Sequence, residues 1–179
     1  MSFETRNPTT GELLEQFPFL SDAQLEQRLM GAEQAADAWR CAPFSERAAL
    51  LKAVAAQLNA QRQGLAETIS LEMGKLLPEA YGEVDKCALA CSYYADNGAQ
   101  MLQDELIETP ARRSLVAYQP LGIILAIMPW NFPLWQVFRC LVPALMAGNG
   151  VLLKHAPNVP RCARAIEQIL RDAGAPDGL

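Results

Sequence analysis

The sequence predicts a mixed α/β fold, in which an N-terminal helical part leads into the first β-α-β-α of a doubly wound parallel sheet. Two observations carry this prediction. Residues 21–101 form capped runs with helical apolar spacing, and residues 121–179 contain two apolar strand-like runs that are each followed by a helix. Buried strands joined by helices of this length pair in parallel through right-handed crossovers.

Four helices are predicted in the N-terminal part from their apolar spacing and their caps. The first begins at a cap formed by Ser21 or Asp22, and the second begins at Ser45. The third ends at Gly74, because a glycine commonly follows the last helical residue. The fourth begins at Pro78, since proline is well tolerated in a first helical turn.

The sequence changes after Pro110 from alanine-rich helix to strand-like segments. Residues 113–118 alternate in the manner of a strand. A buried strand, a helix, a second buried strand and a second helix then follow, at residues 123–128, 133–148, 150–155 and 161–174.

The predicted sheet is incomplete. Two parallel strands are too few for a sheet of this class, which needs more strands and helices on both of its faces. A helix also ends shortly before Leu179, where a doubly wound fold would turn into its next strand. We therefore expect the chain to be a piece of a longer protein.

Composition limits the expected partners and location. The formal net charge of −5 comes from scattered charges of both signs without a basic run, which argues against a nucleic acid as partner. Residues 115–138 carry no charge and are long enough to suggest a membrane span, but Pro120, Pro129 and Pro133 would break the backbone bonding that lipid demands. The N-terminus lacks the apolar core of a signal peptide, so a cytoplasmic location is the default expectation.

The cysteines indicate reduced thiols rather than a disulfide framework. Cys87 and Cys91 lie one helical turn apart and could be two metal ligands. However, the chain has a single histidine and no CxxC pair, which favours small apolar helix residues and no metal site. The five cysteines form an odd set at Cys41, Cys87, Cys91, Cys140 and Cys162.

The densest candidate site is the segment Met128–Pro133, at the end of the first buried strand. Ligands of open α/β sheets bind at the carboxyl ends of strands. The carboxamide of Asn131, held between two prolines, could donate to a developing oxyanion. The residues alone leave a second interpretation open, in which Asn131 caps the following helix.

Three charged or titratable residues accompany this segment. Lys154 ends the second buried strand, where it could bind ribose hydroxyls, phosphate or a carboxylate, or extend into solvent. His155 has no serine or cysteine partner marked by a motif, which argues against a general base. Arg139 lies in an apolar helix, so it reaches the helix rim or meets an anion. Residues 148–150 are predicted to form a helix-ending turn rather than a phosphate cradle.

The segment MPWNFPLWQVFRCLVPALMAGNGVLLKHAPNVP resembles the first cofactor-binding segment of the aldehyde dehydrogenase superfamily. Residues 7–12, 72–75 and 120–122 are similar to the family in order and spacing, so the resemblance spans nearly the whole chain. The Lys-His-Ala-Pro-Asn and Pro-Leu-Trp-Gln sequences resemble bacterial succinate-semialdehyde dehydrogenases.

The resemblance implies an oxidoreductase of Rossmann-like, aldehyde dehydrogenase fold. Such an enzyme oxidises an aldehyde, here succinate semialdehyde, to its acid with NAD or NADP. The family's nucleophilic cysteine, its general-base glutamate and its pyrophosphate turn would all lie beyond Leu179, and none of the five cysteines matches the nucleophile. We therefore expect this chain alone to be inactive, or to serve as a truncated, non-catalytic partner of a full-length dehydrogenase.

The resemblance also divides the chain. Residues 1–111 correspond to the helical part of the cofactor-binding domain and residues 121–179 to the first half of its sheet, while the catalytic domain is absent. Residues 112–120 resemble the family's oligomerisation strand, which implies a homo-oligomer, a dimer or a tetramer, of the full-length protein.

Residue roles carried over from the family centre on the same segment. Asn131 matches the oxyanion-hole asparagine, and Lys154 matches the lysine that binds the adenosine ribose. Pro157 stands where many members have an acidic or polar residue, which leaves the choice between NAD and NADP open. The full cofactor set is Ile127, Met128, Pro129, Trp130, Asn131, Lys154, His155, Ala156 and Pro157, and the aldehyde would contact Phe132, Gln136 and Arg139, the last gripping a distal carboxylate.

Overall fold

A computed structural model of the protein describes residues 2–179. These residues form six strands and six helices, with all four predicted N-terminal helices and both predicted parallel strands present. In chain order they are β1 (Ser2–Arg6), β2 (Leu13–Pro18), α1 (Asp22–Trp39), α2 (Phe44–Ala60), α3 (Arg62–Met73), α4 (Leu77–Met101), β3 (Glu105–Leu106), β4 (Leu115–Val116), β5 (Ile123–Ile127), α5 (Trp135–Met146), β6 (Gly150–Lys154) and α6 (Pro160–Asp172).

The helical part begins with a strand pair that the helical pattern did not indicate. β1 and β2 are antiparallel and are joined by a turn in which the amide of Gly11 donates to the carbonyl of Asn7. Only Thr5 and Phe17 are buried in the two strands, at 1% and 7% exposure, so the alternation is weak in the sequence. Glu15 of β2 forms ion pairs with α6, which joins the hairpin to the far end of the chain.

The predicted boundary residues are confirmed at the start of α1 and the end of α3, and the other helix ends differ from the prediction by one or two residues. Ser21 forms a capping box at the start of α1, and Gly74 ends α3 in the left-handed conformation, with a φ of 76°. Pro78 lies in the first turn of α4, as expected. The predicted cap at Ser45 is wrong, because α2 begins one residue earlier and Pro43 occupies its N-cap position.

The core lies where α4 packs between α2 and α5. Its fully buried side chains include Leu51 and Leu58 of α2, Val84 of α4 and Phe138 of α5. Helices α4 and α5 approach closely at Gly98, where an added Cβ would lie 2.3 Å from the Cγ of Met146. Only a glycine allows α4 and α5 to approach to this distance.

β5 and β6 pair in parallel, in the register Ile123↔Gly150 to Ile127↔Lys154, and α5 connects them. This confirms the predicted β-α-β-α order. The expectation of a fully buried β5 is wrong, because Leu125 and Ile127 are 63% and 67% exposed while Ala126 is buried. Alternate side chains of a strand point to opposite faces, and only one face of β5 is covered within residues 2–179.

The strand predicted at residues 113–118 is shorter than expected. Only Leu115 and Val116 pair, and their partners are Glu105 and Leu106 of β3, which the sequence did not indicate. Leu106 is 73% exposed. Over the described part of the chain, no helix has both the length and the apolarity needed to cross a bilayer.

Candidate functional site

The two parallel strands end side by side. The amide of Met128 donates to the carbonyl of Lys154 at 3.1 Å, one step beyond the last strand residues. The segments that follow, 128–134 and 154–158, therefore leave the sheet at one edge, as the sequence predicted. We call this edge with its two segments the rim.

Glu83 caps the helix that follows the rim. The amides of Leu134 and Trp135, at the start of α5, donate to its Oε1 at 2.8 and 3.0 Å. Asn131 is exposed, and no hydrogen bond within residues 2–179 engages its carboxamide. The interpretation of Asn131 as a helix cap is therefore wrong, and its amide is free to meet a ligand.

A buried ion pair lies behind the rim. The second oxygen of Glu83 accepts from the ammonium of Lys75, and these side chains are only 1% and 7% exposed. The Lys75 ammonium also lies 3.7 Å from the ring centroid of Phe132. Sequence reasoning missed this pair, although Glu83 falls three residues after Ala80 and four before Cys87 on the buried face of α4.

Glu72 caps the N-terminus of α6, as Glu83 caps that of α5. Its two carboxylate oxygens accept from the amides of Arg161 and Cys162 at 2.9 and 2.8 Å, and the residue is 2% exposed. A carboxylate at a helix N-terminus satisfies amides that have no partner inside the helix and is stabilised by the helix dipole. Both helices of the β-α-β-α unit are thus held by buried carboxylates of the helical part.

The second segment of the rim carries the predicted cofactor residues Lys154 to Pro157. Lys154 and Pro157 are exposed, and no ion pair within residues 2–179 includes Lys154. His155 is partly buried, and its ring contacts Pro133 and Ala156. Burial of the ring lowers the pKa of His155, and Lys154 lowers it further, while the bond to Pro133 and the carboxylates Glu72 and Glu83 oppose this shift.

The remaining predicted site residues have mixed exposure. Trp130 and Phe132 are 50% and 44% exposed, and Gln136 is partly buried. Arg139 reaches the solvent side of α5, which is the first of its two predicted alternatives, and no ion pair within the described residues includes it. Trp130 and Phe132 lie on the first segment of the rim, while Arg139 lies about one turn into α5.

The turn at residues 148–150 follows the end of α5, in agreement with the prediction that it ends a helix, and it also connects α5 to β5 through hydrogen bonds. Asn149 is buried, and its Oδ1 accepts from the amides of Leu121 and Gly122 at 2.6 and 3.1 Å. Its Nδ2 donates to the carbonyl of Ala144. Asn149 thereby joins the end of α5 to the start of β5, a role that sequence reasoning missed.

The buried cysteines are unsuited to nucleophilic attack. Burial raises the pKa of Cys87, raises that of Cys91 to about 12, and raises that of Cys162, where Glu72 adds to the effect. These three side chains remain neutral thiols at neutral pH. No cluster of three His, Cys, Asp or Glu side chains suited to a metal occurs among residues 2–179.

Comparison with known proteins decides the family. The family described as "Aldehyde dehydrogenase family" matches residues 1–179. The chain belongs to the aldehyde dehydrogenase family. It is 48% identical over 178 residues to a Synechocystis protein named "Probable succinate-semialdehyde dehydrogenase", with NADP(+) as its named cofactor. It is 44% identical over 173 residues to an Escherichia coli succinate semialdehyde dehydrogenase named for NAD(P)+.

The family match extends to the fold. The succinic semialdehyde dehydrogenase of Streptococcus pyogenes, solved with NADP+, superposes with a TM-score of 0.94 at 38% identity, covering 98% of this chain and 39% of that one. The Burkholderia pseudomallei succinate-semialdehyde dehydrogenase superposes with a TM-score of 0.92 at 33% identity, covering 99% of this chain and 37% of that one. The two curated relatives are likewise covered over 39% and 37% of their length, and 99% and 97% of this chain. The chain thus spans well under half of these aldehyde dehydrogenases.

Proposed function

We propose that this chain supplies the oxyanion donor and part of the nicotinamide dinucleotide site of an aldehyde dehydrogenase that oxidises succinate semialdehyde to its acid. The observation that carries the proposal is the free carboxamide of Asn131 on the rim. Because Glu83 satisfies the amides of α5, the NH₂ group of Asn131 can donate to the negative charge that develops on an attacked carbonyl.

The opposite segment of the rim suits a dinucleotide. Lys154 offers an exposed cation at the carboxyl end of β6, and Trp130 offers a half-exposed aromatic face at the end of β5. We propose that Lys154 binds ribose hydroxyls and that Trp130, with the backbone of residues 127–129, lines the nicotinamide side. The bound cofactor would accept the hydride. Relatives named for NADP(+) and for NAD(P)+ support either dinucleotide.

We further propose that residues 1–179 alone do not turn over an aldehyde. Asn131, Trp130 and Phe132 lie on an open surface, whereas oxyanion stabilisation depends on a site that excludes water. The thiols of Cys87, Cys91 and Cys162 are buried and neutral. Cys41 is exposed and Cys140 is partly buried, but neither matches the family's nucleophile, so we propose that the nucleophile comes from outside these residues.

A chimera tests the proposal. Residues 1–179 would replace the matching region of the Synechocystis relative, to which they are 48% identical. We expect the chimera to oxidise succinate semialdehyde, and Asn131→Ala to lower its kcat about 100- to 1,000-fold because one oxyanion donor is lost. The matched control is Asn59→Ala, which removes an exposed asparagine on α2. An active chimera in which both variants behave alike would exclude Asn131 as the oxyanion donor.

The β3–β4 hairpin supports a second role, in assembly. Leu106, Ile107, Val116 and Tyr118 are large apolar residues that are 43–73% exposed at this hairpin. We propose that the hairpin joins copies of this chain, or this chain and a full-length dehydrogenase, into a homo-oligomer or a mixed one. Light scattering on the chimera should show a dimer or tetramer, and Leu106→Asp should shift it toward the monomer.

A further inference from the structure

We infer that His155 is a positioning residue that holds the first segment of the rim, which carries Asn131 and is here called the Asn131 segment, to the end of β6. It does so as the neutral Nε2–H tautomer, through two hydrogen bonds that we call the latch. The ring contacts both segments of the rim. Its Nε2 lies 2.8 Å from the carbonyl oxygen of Pro133, and the amide of Ala156 donates to its Nδ1 at 2.8 Å. The consequence for catalysis rests on the proposed function, whereas the latch itself does not.

The two partners assign the tautomer. A backbone amide can only donate, so the nitrogen facing Ala156 must carry a lone pair and no proton. A carbonyl oxygen can only accept, so the nitrogen facing Pro133 must carry the proton. A second proton on the ring would occupy Nδ1 and break the bond to Ala156, while the bond from Nε2 to Pro133 would remain. His155 therefore makes both bonds only when it is uncharged.

The latch acts two residues from the proposed oxyanion donor. Pro133 follows Asn131 by two positions, and the next amide, that of Leu134, is held by Glu83. The Asn131 segment is thus fixed from two sides, by a carboxylate of α4 and by an imidazole of the second segment. Since Lys154 immediately precedes His155, the same ring sets the spacing between the two proposed ligand-binding residues.

The charged groups around the ring favour different protonation states. Burial, and Lys154 on β6, disfavour a charged imidazole. The bond to Pro133 favours it, as do Glu72 of α3 and Glu83 of α4. Burial has the largest effect, so the pKa of His155 lies below its usual value. The unfolded chain then takes up the proton first. The stability contributed by the latch is complete above the usual imidazole pKa of about 6.5 and is lost as the pH falls below it toward the folded pKa.

The single histidine of the chain makes a direct test possible by ¹⁵N NMR of the imidazole in the purified 179-residue protein. At pH 8 we expect an unprotonated Nδ1 and a protonated Nε2. The indole signal of Trp130 and the carboxamide signals of Asn131 should shift on acidification with the same midpoint as the ring. The Nδ1–H tautomer, or rim signals that ignore the ring's titration, would overturn the inference.

Two variants in the chimera add a functional measurement. His155→Ala removes both bonds and should lower kcat about tenfold, the effect of about one lost hydrogen bond on an activation barrier. His155→Gln retains an NH₂ donor for Pro133 and should restore most of this loss. Equal losses in both variants would count against the latch. If Asn131→Ala leaves turnover intact while the imidazole has the expected tautomer, the proposed function fails and the latch stands.

Discussion

The interface between the helical part and the β-α-β-α unit differs sharply from the rim. At the interface, the carboxylates of Glu72 and Glu83 are almost fully buried, and both accept from the first amides of a helix. At the rim, Asn131 and Lys154 are exposed, and neither side chain is bonded within residues 2–179. The side chains of Glu72 and Glu83 are thus buried and hydrogen-bonded, whereas those of Asn131 and Lys154 are exposed and have no hydrogen-bond partner within residues 2–179.

The difference separates groups that stabilise the fold from groups that are available to a ligand. A buried charge costs several kcal/mol unless it is paired and hydrogen-bonded, so each interface carboxylate has partners. An exposed group is solvated by water and can exchange that water for a ligand at little cost to the fold. Substitutions at the interface should therefore change stability, and substitutions at the rim should change binding or catalysis.

The largest effect on stability should come from Glu83→Ala. The substitution leaves Lys75 buried without its partner and removes the cap of α5, so we expect a loss of about 3–5 kcal/mol in the free energy of unfolding. Urea denaturation measures it. The control is Glu67→Ala, an exposed glutamate on α3, which should change stability by less than about 0.5 kcal/mol. Similar losses in both variants would contradict the role assigned to Glu83.

An intermediate effect is expected at two glycines of α4. Gly98→Ala would place a Cβ 2.3 Å from the Met146 side chain and should destabilise the protein by about 1–3 kcal/mol through overpacking. Gly82→Ala meets no atom within 4 Å and should stabilise it by about 0.5–1 kcal/mol, since alanine favours a helix. Thermal denaturation of both variants would show opposite shifts in Tm. Shifts of Tm with the same sign in both variants would contradict the close contact between α4 and α5 at Gly98.

The smallest effect on stability should come from the rim residue Lys154. Lys154→Met should leave the unfolding free energy within about 0.5 kcal/mol of the parent, because the side chain is exposed. In the chimera it should raise the Kd for NADP about tenfold or more, the effect of a lost charged hydrogen bond. Calorimetric titration measures the Kd, and Lys52→Met, at an exposed lysine of α2, is the control. An unchanged Kd would remove Lys154 from the cofactor site.

Much of the fold could be predicted from the sequence because its signals are local. The Ser21 cap and the Gly74 ending involve residues within one turn of each helix boundary. The β1–β2 hairpin was missed because its strands bury only Thr5 and Phe17. β3 was missed for the same reason, since both residues of this strand are exposed.

The candidate site could be predicted in position but not in detail. Asn131 and Lys154 follow the two predicted strands, so their common edge was expected from the parallel pairing. The choice between solvent and an anion for Arg139 stayed open, because the spacing of apolar residues shows that a helix has a buried face without stating how far that face extends. The bond between His155 and Pro133 links residues 22 positions apart in different segments, which no local pattern indicates.

The sequence by itself determined the order of the six helices and the two parallel strands, the family, and the residues that end those two strands, because caps, apolar spacing and strand–helix alternation act over a few residues. Only the tertiary structure decided which group caps α5. Asn131 and Glu83 both carry a side-chain oxygen suited to the task, and Asn131 is three residues from Leu134 while Glu83 is 51 residues away. Packing of α4 against α5 brings the buried carboxylate to 2.8 Å of that amide, and this leaves the carboxamide of Asn131 free.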